Sequence, residues 1–560
     1  MLAVRDLTVD YRGAAGTLRA VDGLSFDLLP GRTLGIVGES GSGKSTVALA
    51  ALGLHQPPVA RVGGQVVVDG VDVVTAGPDQ VRALRGARIA MVFQDPLSAL
   101  DPFHTIGDQI AEVYRVHTGA SRRAAMDRAV EVLDQVHIAD PARRARAHPH
   151  EFSGGMRQRA LIAMALACNP KILVADEPTT ALDVTVQAQI LDLLDEIRIR
   201  TGMALLLVSH DLGVVAGVAD EIMVMRDGRV VEHGPVDAVL SAPAAAYTRE
   251  LLAAAPRLDG PAAAPPVVDA LPVVDDVPVV NDVLLRLENV SKRFPLPRSG
   301  LRRSAPVVAV DDVTLEVRRG ETLGIVGESG SGKSTLARLM VRLLTPSSGH
   351  VSLDGVDIAH LPERRLRAVR HDLQMVFQDP VSSLNPRRTI GETVADPLRA
   401  RLSGTEAHLR HRVAELLERV GLDPGDYDRY PHEFSGGMRQ RVGIARALAA
   451  RPRLVVCDEP VSSLDVSTQA QVLDLLSQVR REFDLTLVFI SHDLAVVRQI
   501  CDRVAVMRAG VVVESGAAEV IYARPQHPYT RDLLAAVPSA DPVRARRRRD
   551  ARAAQLTAPG

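Results

Sequence analysis

The fourteen residues TLGIVGESGSGKST occur at Thr33–Thr46 and again, letter for letter, at Thr322–Thr335. A duplication of this kind constrains the fold more than any other feature, because it asks for two copies of one unit. At 560 residues the chain is in any case too long for a single hydrophobic core. The repeat reaches well beyond the opening stretch. MVFQDP begins at Met91 and Met375, PHEFSGGMRQR at Pro149 and Pro431, DEP at Asp176 and Asp458, LDV at Leu182 and Leu464, and SHDL at Ser209 and Ser491. The offset is 289 residues from Gly38 to Gly327, 284 from Gln94 to Gln378, and 282 for each of the remaining pairs. Length changes therefore fall between motifs, in expected loops, while the span from PHEFSGG to SHDL keeps its length as a folded unit does.

This organisation predicts a first domain over 1–258, a Pro/Ala/Asp-rich linker over 259–283, a second domain over 284–538 and a tail over 539–560. The stretch PAAAPPVVDALPVVDDVPVVND (Pro261–Asp282) has no helical periodicity and reads as extended linker. Extended, it spans roughly 70 Å, enough to let two domains face each other in either orientation. The tail contains RARRRRD (Arg544–Asp550) and is expected to be disordered and solvated, with attraction to anionic lipid headgroups as the alternative.

Within each repeat the motifs point to phosphate chemistry. TLGIV is a short β-rich apolar run and STVALAALGL after it is helix-like, so GESGSGKS lies between a strand and a helix, the context of a P-loop. Gly38, Gly41 and Gly43 let the backbone curl so that its amides face phosphate oxygens, with Glu39, Ser40, Ser42 and Thr46 completing the loop. Lys44 is expected on the β- and γ-phosphates and Ser45 on Mg²⁺. The second set is Gly327, Glu328, Ser329, Gly330, Ser331, Gly332, Lys333, Ser334 and Thr335. Lysine usage supports the assignment. Only four of the 66 basic residues are lysines, yet Lys44 and Lys333 are two of them, as expected where a planar guanidinium cannot replace a compact ammonium.

KILVA and RLVVC are apolar strands ending in Asp-Glu, expected beside the P-loop strand. Asp176 and Asp458 then hold Mg²⁺ through water, and Glu177 and Glu459, on the opposite side, accept a proton from the attacking water. His210 and His492, in SHD after another apolar strand, read as neutral imidazoles that sense the γ-phosphate, and Gln94 and Gln378 as contacts to Mg²⁺ and water on a switch loop. FSGGMRQR has no assignment from spacing alone. Ser153, Gly154 and Gly155, like Ser435, Gly436 and Gly437, open a helix and so form a second anion-binding N-terminus in each half, which points to shared rather than private sites.

Bulk properties exclude several other classes. A formal charge of −2 offers no basic field of nucleic-acid size, and Cys168, Cys457 and Cys501 are too far apart for a zinc module or disulfide framework. The N-terminus does not read as a signal peptide, and apolar runs such as LIAMALAC (Leu161–Cys168) are far shorter than a membrane span. Membrane contact is therefore expected only through partners.

Taken in order, GESGSGKST, the Gln of FQDP, SGGMRQR, DEP, LD and SHD resemble the nucleotide-binding domains of ABC transporters over both halves. The resemblance implies an α/β fold: two tandem domains, each a RecA-like P-loop core with a helical subdomain. It also implies a head-to-tail sandwich in which ATP on Lys44 is closed by Ser435–Gly437 and ATP on Lys333 by Ser153–Gly155, with Tyr11 and Phe294 as adenine-stacking aromatics. FQDPLSALDP, FQDPVSSLNP and PQHPYTRDLLAAVP (Pro525–Pro538) look like the oligopeptide/dipeptide/nickel importer ATPases. The first half has only a partial counterpart, APAAAYTRELLAAAP (Ala242–Pro256), and neither segment holds the cysteines that would imply an iron–sulfur cluster. The implied function is an ATP- and Mg²⁺-dependent subunit at the cytoplasmic face of the membrane. It would energise two permease subunits served by an extracytoplasmic binding protein, for peptides, glutathione or nickel chelates, with no nucleic-acid partner. A soluble twin ATPase acting on ribosomes or DNA is the alternative.

Overall fold

The computed structural model describes every residue except 14–15, 56–57, 181, 257, 259–281, 296–305, 380–382, 401–404, 463 and 548–560. The chain divides into two compact units, Met1–Ala255 with Asp465–Ser467 and Pro538–Gly560, and Pro256–Leu464 with Thr468–Val537. The segment expected to be linker thus lies almost wholly outside the described residues. Regular pairing of the second unit begins at its end, where Arg319 N donates to the Asp282 carbonyl and Val283 pairs with Arg318.

In the first unit the strands are β1 (Leu2–Gly13), β2 (Gly16–Leu28), β3 (Thr33–Val37), β4 (Ala60–Val68), β5 (Val71–Asp72), β6 (Ile89–Val92), β7 (Ile172–Asp176), β8 (Ala204–Ser209), β9 (Glu221–Arg226) and β10 (Arg229–Pro235). They form an antiparallel sheet in the order β2-β1-β4-β5 and a six-stranded sheet in the order β10-β9-β3-β8-β7-β6, parallel except for the edge strand β10.

The parallel sheet separates two hydrophobic cores, and its residues alternate between them as a period-two strand requires. On β7, Ile172 and Val174 join the core shared with the antiparallel sheet, while Leu173 and Ala175 face the helical side. On β8, Ala204, Leu206 and Val208 take the first face and Leu205 and Leu207 the second. The helical side is built from Ile106–Thr118, Arg122–Gln135 and Gly154–Leu166, whose starts are capped by the hydroxyls of Thr105, Ser121 and Ser153. Gly35 in TLGIV is there for close approach. A Cβ would run into the Val215 side chain of the helix Leu212–Val218 packed across β3.

The second unit repeats this plan. Its strands are β11 (Val283–Phe294), β12 (Val307–Arg318), β13 (Thr322–Val326), β14 (Ser348–Leu353), β15 (Val356–Asp357), β16 (Leu373–Val376), β17 (Leu454–Asp458), β18 (Thr486–Ile490), β19 (Arg503–Arg508) and β20 (Val511–Ala517). Their orders are β12-β11-β14-β15 and β16-β17-β18-β13-β19-β20, the same as in the first unit.

Two sequence expectations differ from this structure. The Asp-Glu strand is not beside the P-loop strand: β8 lies between β3 and β7, and β18 between β13 and β17. The cause is the crossover helix Val184–Thr201, which carries the chain from β7 to the adjacent position on the P-loop side. Part of the stretch expected to be a disordered tail is also helical. The Asp541 carboxylate accepts from Val543 N and Arg544 N and so caps a helix over 542–547, and the remainder of the stretch from 548 lies outside the described residues.

Two of the three cysteines are buried as small hydrophobes. Cys457, within β17, and Cys501 are fully enclosed, and burial pushes the Cys457 thiol up to about 12. Cys168 is only partly enclosed.

Candidate functional site

Because β3, β8 and β7 are parallel neighbours, their C-terminal ends lie along one edge of the sheet, and every strand-borne motif is delivered there. β3 ends in the glycine-rich loop, β7 in Asp176 and β8 in Ser209, with Val37 opposite Ser209 and Asp176 opposite Val208.

The loop's curl rests on glycine. Gly38, Gly41 and Gly43 have φ of 157°, 81° and 97°, and Gly327, Gly330 and Gly332 have 153°, 79° and 102°. Any side chain at Gly38 or Gly43 would also strike backbone, the Met225 carbonyl in one case and that of Ala20 in the other. The loop runs into the helix Lys44–Ala51, so amide dipoles and helix N-terminus aim at one point. Lys44 is buried, and its Nζ donates to the carbonyls of Gly38 at 2.8 Å and Glu39 at 2.7 Å. Lys333 donates likewise to Gly327 at 2.7 Å and Glu328 at 2.8 Å. Burial pulls the Lys44 ammonium below the ordinary lysine range, opposed by the charges of Glu177 and Asp176.

Ser45 Oγ donates to Asp176 Oδ1 at 3.1 Å, and Ser334 Oγ to Asp458 Oδ1 at 3.0 Å. Burial pushes both aspartates up, against the hydrogen bond from the serine, and the adjacent glutamate adds to the rise. Among the described residues no group of three or more His, Cys, Asp or Glu could hold a metal ion. A cation here must therefore draw on one carboxylate, one hydroxyl and oxygens from elsewhere. Carboxylate and hydroxyl are hard oxygen donors, which fit Mg²⁺ with phosphate oxygens completing the shell. Ser42 Oγ and Ser331 Oγ, buried within the two loops with no hydrogen-bond partner among the described residues, also fit a cradle shaped for polar cargo.

Immediately after Asp176 the chain leaves the strand through a left-handed residue, with φ 46° at Glu177 and 47° at Glu459. For a non-glycine residue that conformation costs on the order of 1 kcal/mol or more. The turn gives Glu177 a different set of partners from Asp176. Its Oε2 accepts from Gln94 Nε2 at 2.8 Å and Thr180 Oγ1 at 2.9 Å and lies 3.3 Å from His210 Nδ1. Glu459 Oε2 accepts from Gln378 Nε2 at 2.9 Å and lies 3.2 Å from His492 Nδ1. Burial works to raise the Glu177 carboxyl. The histidine's hydrogen bond and charge, with Thr180 and Lys44, outweigh it and hold the group below the usual range. His210 and His492 are raised for the reciprocal reason: burial works to lower them, and the partner carboxylate outweighs it. The imidazoles expected to be neutral are thus biased towards the protonated form by the glutamate each one faces.

Sequence reasoning places Lys44, Ser45, Gln94, Asp176, Glu177 and His210 in one site; the structure joins Ser45 to Asp176, and Gln94 and His210 to Glu177, by direct contact, and holds Lys44 on the carbonyls of its own loop. It does not bring in Ser153. That hydroxyl caps its own helix by accepting from Met156 N at 3.3 Å, as Ser435 does from Met438 N at 3.3 Å, and the P-loop is not among its partners. Gly155 is packed 2.5 Å, for an added Cβ, from Val186 on the helix that follows LDV. Tyr11 is tied to the loop indirectly. Its hydroxyl meets His55 Nδ1 at 3.3 Å, and His55 Nε2 meets the Thr46 carbonyl at 2.9 Å. Phe294 is more exposed and has Lys292 Nζ 5.4 Å from its ring centroid.

Two contacts escape sequence reasoning. Thr180 joins the Glu177 cluster, whereas the corresponding Ser462 donates to the Glu459 carbonyl instead. A tyrosine in each C-terminal segment reaches the P-loop: Tyr247 Oη accepts from Glu39 N at 3.4 Å, and Tyr529 Oη from Glu328 N at 3.1 Å. The repeated AYT/PYT is visible in both halves, but nothing local in it names the loop.

An α/β cassette with a glycine-curled phosphate loop, a buried acidic strand end and a carboxylate–histidine pair on one sheet edge defines a P-loop ATPase. The ABC transporter family matches residues 21–180 and 310–462, and the oligopeptide/dipeptide transporter C-terminal region matches 231–276 and 513–559. The second match therefore takes in part of the stretches read as linker and tail. The glutathione import ATP-binding protein GsiA of Escherichia coli O157:H7 is 47% identical over 98% of this chain and 91% of its own length. The peptidoglycan transport ATP-binding protein YejF of Agrobacterium fabrum is 47% identical over 96% of each. Among solved structures, the post-hydrolysis dimer of the ATP-binding cassette MJ0796 with ADP and Pi is 31% identical over 42% of this chain and 99% of that one, with a TM-score of 0.38. The chain belongs to the ABC transporter ATP-binding proteins, as two tandem ATP-hydrolysing cassettes, each followed by an oligopeptide/dipeptide-type C-terminal region.

Proposed function

We propose that this chain energises a membrane importer of di- or oligopeptides, glutathione or a related solute, acting from the cytoplasmic face through two permease subunits that receive solute from an extracytoplasmic binding protein. The observation that carries the reading is the C-terminal region matched twice, at 231–276 and 513–559, together with relatives near 47% identity over nearly the whole chain that are import or transport ATP-binding proteins. Among the described residues no helix is long and apolar enough to cross a membrane, which fits attachment through partners.

In this reading each cassette works with its own residues. ATP enters with its phosphates in the loop, and Lys44 exchanges the carbonyls of Gly38 and Glu39 for β- and γ-phosphate oxygens, a short move for a side chain already folded over the loop. Ser45, Asp176 and Gln94, with Ser334, Asp458 and Gln378 in the second cassette, are assigned to Mg²⁺. Bound there, Mg²⁺ supplies neutralisation of phosphate charge. Glu177 is the proton acceptor. Gln94, Thr180 and His210 all meet Oε2, which orients the carboxylate and leaves Oε1 for the attacking water. Glu459 is held in the same way by Gln378 and His492. The signature helices, opening at Ser153–Gly155 and Ser435–Gly437, are assigned to the same nucleotides, and Tyr11 and Phe294 to adenine. Loss of phosphate frees Gln94 and Gln378, whose loops then pass the change to the permease.

The test is to recover the tagged chain from detergent-solubilised membranes of its source, identify the bound proteins and assay ATPase activity alongside. Two polytopic membrane proteins co-purifying with the activity are expected. Ribosomal or DNA-repair partners in their place would overturn the importer reading and leave the ATPase standing.

A further inference from the structure

The ATPase cassette and the C-terminal region meet at one hydroxyl in each half, and the sequence around it shows how that meeting is built. In the first unit Glu232, on β10, accepts from Ala244 N at 2.8 Å and Ala245 N at 3.2 Å, fixing where the helix Ala246–Ala254 begins. Tyr247 is the second residue of that helix. It is 6% exposed, the Arg226 guanidinium lies 4.7 Å from its ring centroid, and its hydroxyl meets Glu39 N. The second unit repeats each contact. Glu514 on β20 accepts from Gln526 N at 2.8 Å and His527 N at 3.1 Å, and Arg508 lies 4.9 Å from the ring of Tyr529, which is 5% exposed and meets Glu328 N. A glutamate, an arginine and a tyrosine filling the same roles in both halves argue against an accidental contact.

The atom contacted matters. Glu39 is held on both sides of its backbone, its amide by the tyrosine and its carbonyl by Lys44 Nζ. Glu328 is held in the same way by Tyr529 and Lys333. When the lysine leaves for phosphate, the tyrosine hydroxyl stays on that residue. A phenol is well suited to that place, because burial keeps the Tyr247 hydroxyl protonated, pushing it up to about 12, and no charge is brought into the loop.

We propose that Tyr247 and Tyr529 are positioning residues through which the oligopeptide-type C-terminal region holds the phosphate loop in its nucleotide-binding shape, with the tie stronger in the second cassette. The inequality follows from sequence. His527 Nδ1 accepts from Tyr529 N at 3.2 Å and Pro528 opens the helix, whereas Ala245 and Ala246 occupy those places in the first half and offer no side-chain cap. The tie is correspondingly 3.1 Å in the second unit against 3.4 Å in the first. Loss of the hydroxyl lowers the fraction of chains with a competent loop, and apparent ATP affinity falls by that fraction.

The inference rests on the P-loop reading of the site, so the experiment separates the two. Tyr247→Phe, Tyr529→Phe and the double variant are made in the full chain and compared with a Lys44→Ala/Lys333→Ala chain for kcat, KM for ATP and melting temperature. Phenylalanine keeps the ring and its arginine, so the fold is retained. The double variant is expected to raise KM roughly two- to ten-fold with kcat and melting temperature little changed, the range one neutral hydrogen bond spans, and Tyr529→Phe supplies the larger part. An unchanged KM in the double tyrosine variant, with ATP binding weakened in the lysine variant, overturns the inference alone. So does a KM change that only tracks a fall in melting temperature. ATP binding at wild-type strength in the lysine variant removes the site reading and this inference with it.

Discussion

Glu177→Gln and Glu459→Gln together should lower ATP turnover by roughly 10²- to 10⁴-fold, the span associated with loss of a positioned general base, while ATP still binds. The amide keeps the shape of the side chain but cannot take a proton from water. The Glu177 cluster contacts Gln94, Thr180 and His210 rather than the glycine loop, so the phosphate cradle is left intact. Each single variant silences one cassette and leaves the other's carboxylate, glutamine and histidine in place, as the near-identical contacts of Glu459 show. Turnover by both singles, with equilibrium nucleotide binding by the double, checks this. A double variant that hydrolyses at the wild-type rate removes the glutamates from the chemistry.

Lys44→Ala and Lys333→Ala should act on the other half of the reaction, weakening ATP binding at their own cassette by roughly 10- to 150-fold, the worth of a charge-assisted hydrogen bond. The fold should survive. Each lysine bonds to carbonyls of its own loop, which water can satisfy in its place. Arginine should not rescue either site, because a planar fork does not fit where a compact ammonium is folded beneath a curled backbone. Calorimetric titration with a non-hydrolysable ATP analogue reads both substitutions. Arginine variants that bind like the wild type would contradict the assigned role of the lysine.

The residues assigned to the site are legible in the sequence because each sits at a strand end within a contiguous motif, and one parallel sheet is enough to bring all strand ends of one polarity together. The order of the strands is not legible. The interposition of β8 between β3 and β7 depends on which way the helix Val184–Thr201 crosses, a property of packing that no local run of residues encodes. The charge state of His210 is hidden for a related reason. Its distance of 3.3 Å to Glu177 depends on the left-handed turn at Glu177, which a strand pattern ending in Asp-Glu does not announce. The tyrosine ties lie 208 and 201 residues from their loop partners, so the pairing exists only in three dimensions. Thr180 and Ser462 show the limit from the other side. DEPTT and DEPVS look equivalent, yet one hydroxyl meets the Glu177 carboxylate and the other a carbonyl.

The claim on which the rest depends is that neither repeat is a relic, each holding a complete nucleotide site. Its most direct test is the stoichiometry of ATP bound at saturation to the Glu177→Gln/Glu459→Gln chain in the presence of Mg²⁺. The account predicts two ATP per chain, with one of the two bound roughly 10- to 150-fold more weakly when either lysine is replaced; a single ATP in the unreplaced chain would contradict it.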